Sequence, residues 1–190
     1  MTQTLAKTEN QYLTIQAVTW EQFKILQFTF AEIGVVRMTY CEGILEIMST
    51  GLLHEMISTL LGYLLARYFL VKCISFTSTG TYSQVIEPKV EFQSDLSFSF
   101  SRNPEMTDLC VDIFFTRVGV KKLRKYQLKN IPEVWFWQEG KISIYRLKNG
   151  EYEQVDRSGW LPELDLGHLE QCLLMESQLD AMLAFEERYR

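Results

Sequence analysis

Histidine is nearly absent from this chain of 190 residues, with two in all, and the four cysteines stand far apart. No C-x-x-C pair occurs, so the sequence gives little support to thiolate metal sites or dithiol redox chemistry, and reduced thiols are the simpler account. With His54 and His168 as its two histidines, the chain is not expected to build a histidine-based zinc site. No glycine-rich phosphate loop is present, and no serine sits in a nucleophile elbow. The first residues, MTQTLAKTENQ, lack the apolar core of a signal peptide. The most apolar helix candidate, Leu52 to Val71, is interrupted by His54, Glu55 and Arg67 and should not span a bilayer. These features predict a soluble, cytoplasmic protein without a membrane partner or an organic cofactor. Neither repeats nor low-complexity segments occur.

What remains is an ordinary globular composition, 47% hydrophobic and 13% aromatic, enough for one well-filled core. The expected organisation is a flexible tail over residues 1–12 and a single domain over 13–190. The net charge is −5, so nucleic acid would be held by a local basic patch and released by salt.

Local patterns place the elements. Thr19-Trp20-Glu21-Gln22 has the form of a capping box, opening a helix to about Phe30. Val35–Tyr40 and Ile44–Met48 read as a hairpin around Cys41-Glu42-Gly43. From Leu53 to Tyr68, apolar residues recur at three and four, the spacing of one buried helix face. Strands are expected at Ile74–Ser78 and Tyr82–Ile86, with a connection over Glu87–Ser94. Glu133–Trp137, Lys141–Leu147 and Glu151–Val155 predict an antiparallel meander turning at Glu139-Gly140 and Asn149-Gly150. A helical tail begins near Leu166. The sum is an α/β (α+β) fold, a mixed β-sheet flanked by helices.

The chemistry concentrates between Ser94 and Trp137. Two strand candidates there carry aspartate, a residue depleted from strands. Asp112 alternates onto the face of Cys110 and Phe114, where an ionised carboxylate needs a partner, a proton or a metal. Two convergent carboxylates can anchor magnesium, and a lysine beside them can orient a water, which is what phosphodiester hydrolysis needs. Spacing alone favours a solvated strand start at Asp95 and an ion pair of Asp112 with a nearby lysine over a metal site. Asp108 begins its strand, and Glu55 opens a helix where the macrodipole favours an acid. Lys121, Lys122, Arg124, Lys125 and Lys129 form a basic helix, with Lys122 turned to the sheet and the others to solvent or phosphate. Trp135 and Trp137 share one strand face, as core or as the surface of a homodimer.

Three stretches resemble the Uma-type restriction-endonuclease-like family of the PD-(D/E)xK nuclease superfamily. They are Tyr40–Met48 with His54-Glu55; Ser78-Thr79-Gly80; and Thr107–Asp112 running into Gly119–Leu123 and Pro132–Trp137. The resemblance spans about Leu13 to Phe185. It implies a metal-dependent endonuclease with DNA as substrate and magnesium or manganese as cofactor. It matches Asp95 and Asp112 to the metal-binding acids and Lys122 to the catalytic lysine, with Glu55 and Asp108 as secondary candidates. The chain departs from the family pattern in having Gln93-Ser94-Asp95 for Glu-Pro-Asp, Thr107-Asp108 for Pro-Asp, and Asp112 for a glutamate. A nuclease fold that only binds nucleic acid or protein is the alternative these departures allow.

Overall fold

The computed structural model describes residues 11–31, 36–49, 51–101, 103–115 and 119–190. The chain divides into two compact units, Met1–Met56 with Ser83–Gln93, and Ile57–Tyr82 with Ser94–Arg190.

The first unit is a five-stranded sheet in the order β1-β3-β2-β6-β5, every pair antiparallel. Its strands are β1 (Gln11–Ile15), β2 (Arg37–Cys41), β3 (Ile44–Ser49), β5 (Gln84–Ile86) and β6 (Val90–Phe92). The helix α1 (Trp20–Ala31) starts as its capping box requires. Gln22 N–H donates to Thr19 Oγ1 at 3.2 Å, and Thr19 N–H donates to Gln22 Oε1 at 2.9 Å. Phe23, fully buried, brings this helix onto Val18, Met38, Tyr40 and Leu45. The hairpin β2–β3 turns through Glu42 and Gly43, both at positive φ (46° and 88°), the mirror-image turn that matches strand twist.

The second unit holds a six-stranded mixed sheet in the order β11-β10-β9-β8-β7-β4. Its strands are β4 (Thr77–Ser78), β7 (Leu96–Ser99), β8 (Leu109–Phe114), β9 (Glu133–Gln138), β10 (Lys141–Lys148) and β11 (Glu151–Val155). Among the described residues only β8 and β9 run parallel, and the chain between them includes a 3-10 turn at Val120–Leu123 and the short helix α3 (Arg124–Leu128). The meander turns at Glu139-Gly140 and Asn149-Gly150 repeat the positive-φ pair of the first unit. One sheet face carries Leu109, Val111, Ile113, Trp135 and Trp137. It shares a core with α2 (Leu52–Val71) from Ile57 onward, and with α4 (Leu166–Leu173) and α5 (Gln178–Tyr189). The other face carries Cys110, Asp112, Phe114, Val134 and Phe136, all buried, with the Tyr126 ring of α3 set against Phe136.

Several expectations are corrected. Gln11 and Tyr12 belong to a strand, while residues 1–10 of the expected tail lie outside the described residues. The connection over Glu87–Ser94 contains β6, which pairs with both β2 and β5. The strands expected at Ile74–Ser78 and Tyr82–Ile86 shrink to β4 and β5. Of the α2 face, Leu53 and Met56 are exposed, so its buried stripe begins at Ile57. The C-terminal helix is two helices. Val134, Trp135, Phe136 and Trp137 are between 0% and 4% exposed, so the apolar run offered as a dimer surface is core. Among the described residues no helix is long and apolar enough to cross a membrane.

Candidate active site

The register Leu96↔Val111 of β7 and β8, continued by one residue, sets Asp95 opposite Asp112. Directly opposed residues of an antiparallel pair share a face, so the two acids come together at this end of the ladder. Their carboxylates reach backbone donors on the facing strand. Asp95 N–H donates to Asp112 Oδ1 at 3.0 Å, and Ile113 N–H donates to Asp95 Oδ2 at 2.7 Å. Each carboxylate thus fastens the other's strand with a charge-assisted bond.

Asp112 has a second set of partners from α3. Lys125 Nζ lies 3.0 Å from Asp112 Oδ2, and the Tyr126 hydroxyl donates to the same oxygen. The Lys125 ammonium also lies over the Tyr126 ring, 4.7 Å from its centroid. Burial, followed by the charge of Asp112, pushes the Tyr126 phenol well above its usual range, so it keeps its proton and acts as donor. Beside them burial pushes the Cys110 thiol up to about 12, against a smaller opposing pull from the Ser94 hydroxyl. A thiol so raised is no nucleophile at neutral pH.

The other sequence candidates fall as follows. Lys122 is half-buried on the 3-10 turn, and its N–H donates to the Gly119 carbonyl at 3.0 Å. Asp108 is buried, and its Oδ2 accepts from Phe100 N–H at 2.7 Å and Ser101 N–H at 3.3 Å, holding the turn that leaves β7. Glu55 belongs to the first unit, exposed on the first turn of α2, with an oxygen 3.5 Å from His54 Nδ1. The structure brings together Asp95 and Asp112 and adds Lys125 and Tyr126, which the sequence reading had assigned no role at the site. Lys125, expected to face outward with the other basic residues, is 7% exposed, while Lys121 and Arg124 are exposed. The available signal was Leu123 and Tyr126, three apart. They bury one side of the turn, but they flank Lys122 and Lys125 alike, so they do not by themselves single out Lys125.

Whether these residues suit a divalent ion can be judged from the acceptor count. An ionised carboxylate offers about four acceptor positions, and three on Asp112 are filled, by Asp95 N–H, Lys125 and Tyr126. One position therefore remains, next to a second carboxylate. Magnesium needs one or two carboxylates and keeps its waters, so the pair fits it. Among the described residues no three or more His, Cys, Asp or Glu side chains group to cage a metal. The fit is thus to a water-rich, two-carboxylate anchor.

The packing around Asp112 makes its length matter. Cys110 and Phe114 on the same face are 0% and 5% exposed. Asp112→Glu is expected to overpack this face and cost about 1–3 kcal/mol, read from the urea midpoint. A variant as stable as the parent would mean that the face has slack.

Among solved structures the chain is similar to a protein from Anabaena variabilis ATCC 29413, described as a putative nuclease belonging to DUF820. The identity is 15% and the TM-score 0.49, over 88% of this chain and 99% of that one. No curated protein sequence matches. The family model Uma2, described as "Putative restriction endonuclease", matches residues 20–181, most of the chain, and the protein therefore belongs to that family.

Proposed function

We propose that the protein is a magnesium- or manganese-dependent DNA endonuclease, with Asp95 and Asp112 holding the cation. The observation that carries this reading is the reciprocal bonding of Asp95 and Asp112 at the end of β7 and β8. It ties two buried acids to the same end of the ladder on a nuclease-family chain. A bound divalent ion supplies Lewis acidity to a phosphate oxygen and lowers the pKa of a coordinated water. The chain's own residues do the rest. Backbone N–H groups aim the carboxylates, and Tyr126 pins Asp112 from the α3 side. Lys122 orients the attacking water and offsets charge gathering on the phosphate. The exposed Lys121 and Arg124 contact the sugar-phosphate backbone. Because the whole chain is negative, that contact is local and should weaken steeply with salt.

A second reading, a nucleic-acid or protein binding module on the same fold, is favoured by one specific feature. Lys125 already compensates the charge of Asp112 without a metal. Thermal melts with supercoiled-plasmid cleavage separate the two. For the endonuclease, millimolar magnesium or manganese raises the melting temperature, by the equivalent of about 2.7 kcal/mol at a hundredfold excess over Kd. Plasmid nicking then appears with the metal and disappears, together with the stabilisation, in Asp95→Asn and Asp112→Asn. A parent protein that shifts plasmid mobility but neither nicks it nor gains stability from metal is the binding module.

A further inference from the structure

We infer that Lys125 is the resident counter-cation of the Asp95–Asp112 site, occupying Asp112 where a divalent ion would share its charge and thereby setting how tightly that ion binds. The inference rests on the metal-binding reading above and adds a residue that the sequence pattern left facing outward.

The geometry puts Lys125 against Asp112. Its side chain is 9% exposed and that of Asp112 7%, so the pair meets largely out of water. A carboxylate in such a place is held by a counter-charge or not held at all. Lys121 and Arg124, on the same basic stretch, are exposed. The helix that delivers Lys125 is anchored through Leu123 and Tyr126, at 5% and 0% exposure, so the ammonium is placed by packing and not by a flexible tether. Tyr126 adds its hydroxyl to the same carboxylate oxygen and its ring face to the ammonium.

Two consequences follow from charge alone. A divalent ion added to Asp112 meets a fixed positive charge a few ångströms away, which weakens its binding. Conversely, a chain without that ammonium leaves Asp112 uncompensated, and a divalent ion then restores the missing charge. Lys125 therefore trades apo stability against metal affinity.

The test titrates manganese into the full chain by calorimetry, alongside thermal melts with and without the metal. Lys125→Met should bind manganese at least about tenfold more tightly than the parent, melt lower without it, and gain more from it. Lys125→Arg, which keeps the charge, should bind like the parent, as should Lys121→Met. Asp112→Asn should lose the binding in either background. If Lys125→Met binds manganese no better than the parent, the inference is overturned while the metal site stands. If neither the parent nor Lys125→Met binds manganese at Asp112, the metal reading fails and takes the inference with it. Should Lys125→Met not fold without metal, Lys125→Gln, which keeps a donor but no charge, gives the same comparison, and recovery of the Met variant by manganese supports the inference. Failure of both variants to fold even with manganese would make Lys125 a purely structural cation and overturn it.

Discussion

Asp112→Ala is expected to lower the stability of the second unit by about 3–5 kcal/mol, the cost of leaving a buried charge without its partner. Three donors lose their acceptor at once: the Lys125 ammonium, the Tyr126 hydroxyl and the Asp95 N–H. Lys125 is the expensive one. At 7% exposure it cannot simply turn to water without dragging α3 away from Phe136. Urea unfolding followed through the buried Trp135 and Trp137 reads this unit directly. In a chain of this size each kcal/mol moves the thermal midpoint by about 2–4 °C, so a fall on the order of 10 °C is expected. The double variant Asp112→Ala, Lys125→Met should recover much of the loss. Removing both charges also removes the desolvation cost, which in a buried pair rivals the attraction itself. A single variant within about 0.5 kcal/mol of the parent, as surface changes usually are, would show that water already reaches the pair.

That pair also marks where the sequence stopped being legible. The turns at Glu139-Gly140 and Asn149-Gly150 could be read because each needs two positive-φ positions and those pairs supply them locally, whereas at the first hairpin Cys41, expected in the turn, is the last residue of β2. The capping box at Thr19 is equally local. Asp112 was conspicuous because strand alternation put it among Cys110 and Phe114. Its partner was not conspicuous, for a geometric reason. The stretch opens as a 3-10 turn and only then becomes α-helix. Side chains advance about 120° per residue in the first and about 100° in the second, so faces counted at one period drift out of phase. A single period therefore cannot sort the basic residues of this stretch into inward and outward, and Lys125 is the one buried against Asp112. β6 was hidden differently. It is three residues long and carries Glu91, buried only because Lys24 and Gln27 of α1 meet its carboxylate at 3.0 Å and 2.6 Å. Partners that far along the chain leave no local signature. Glu133 is a like case, a buried strand-start acid whose donors are Trp135 Nε1, Ser158 Oγ and Gly159 N–H.

Lys122→Ala is expected to cut plasmid cleavage by on the order of 10²–10³-fold, the loss typical when one donor aimed at developing charge is removed. The metal-induced rise in melting temperature should stay. The two lysines of this turn then divide the work. Lys125 is held to Asp112 by an ion pair with both groups under a tenth exposed, whereas Lys122 is half-buried on the 3-10 turn. A lysine that only orients water and phosphate should change the turnover and leave the ion's affinity alone. One that compensates Asp112 should change the affinity first. Lys121, next along the 3-10 turn and rotated by about 120°, is exposed. Lys121→Ala should therefore weaken cleavage only modestly, and chiefly at higher salt, as the loss of one phosphate contact does. Equal losses in Lys121→Ala and Lys122→Ala would reduce Lys122 to one more backbone contact. Cleavage unchanged in Lys122→Ala but lost in Lys125→Ala would move the catalytic assignment to the lysine already bonded to Asp112. Cleavage that survives Lys122→Ala and Asp112→Asn alike would come from another protein in the preparation.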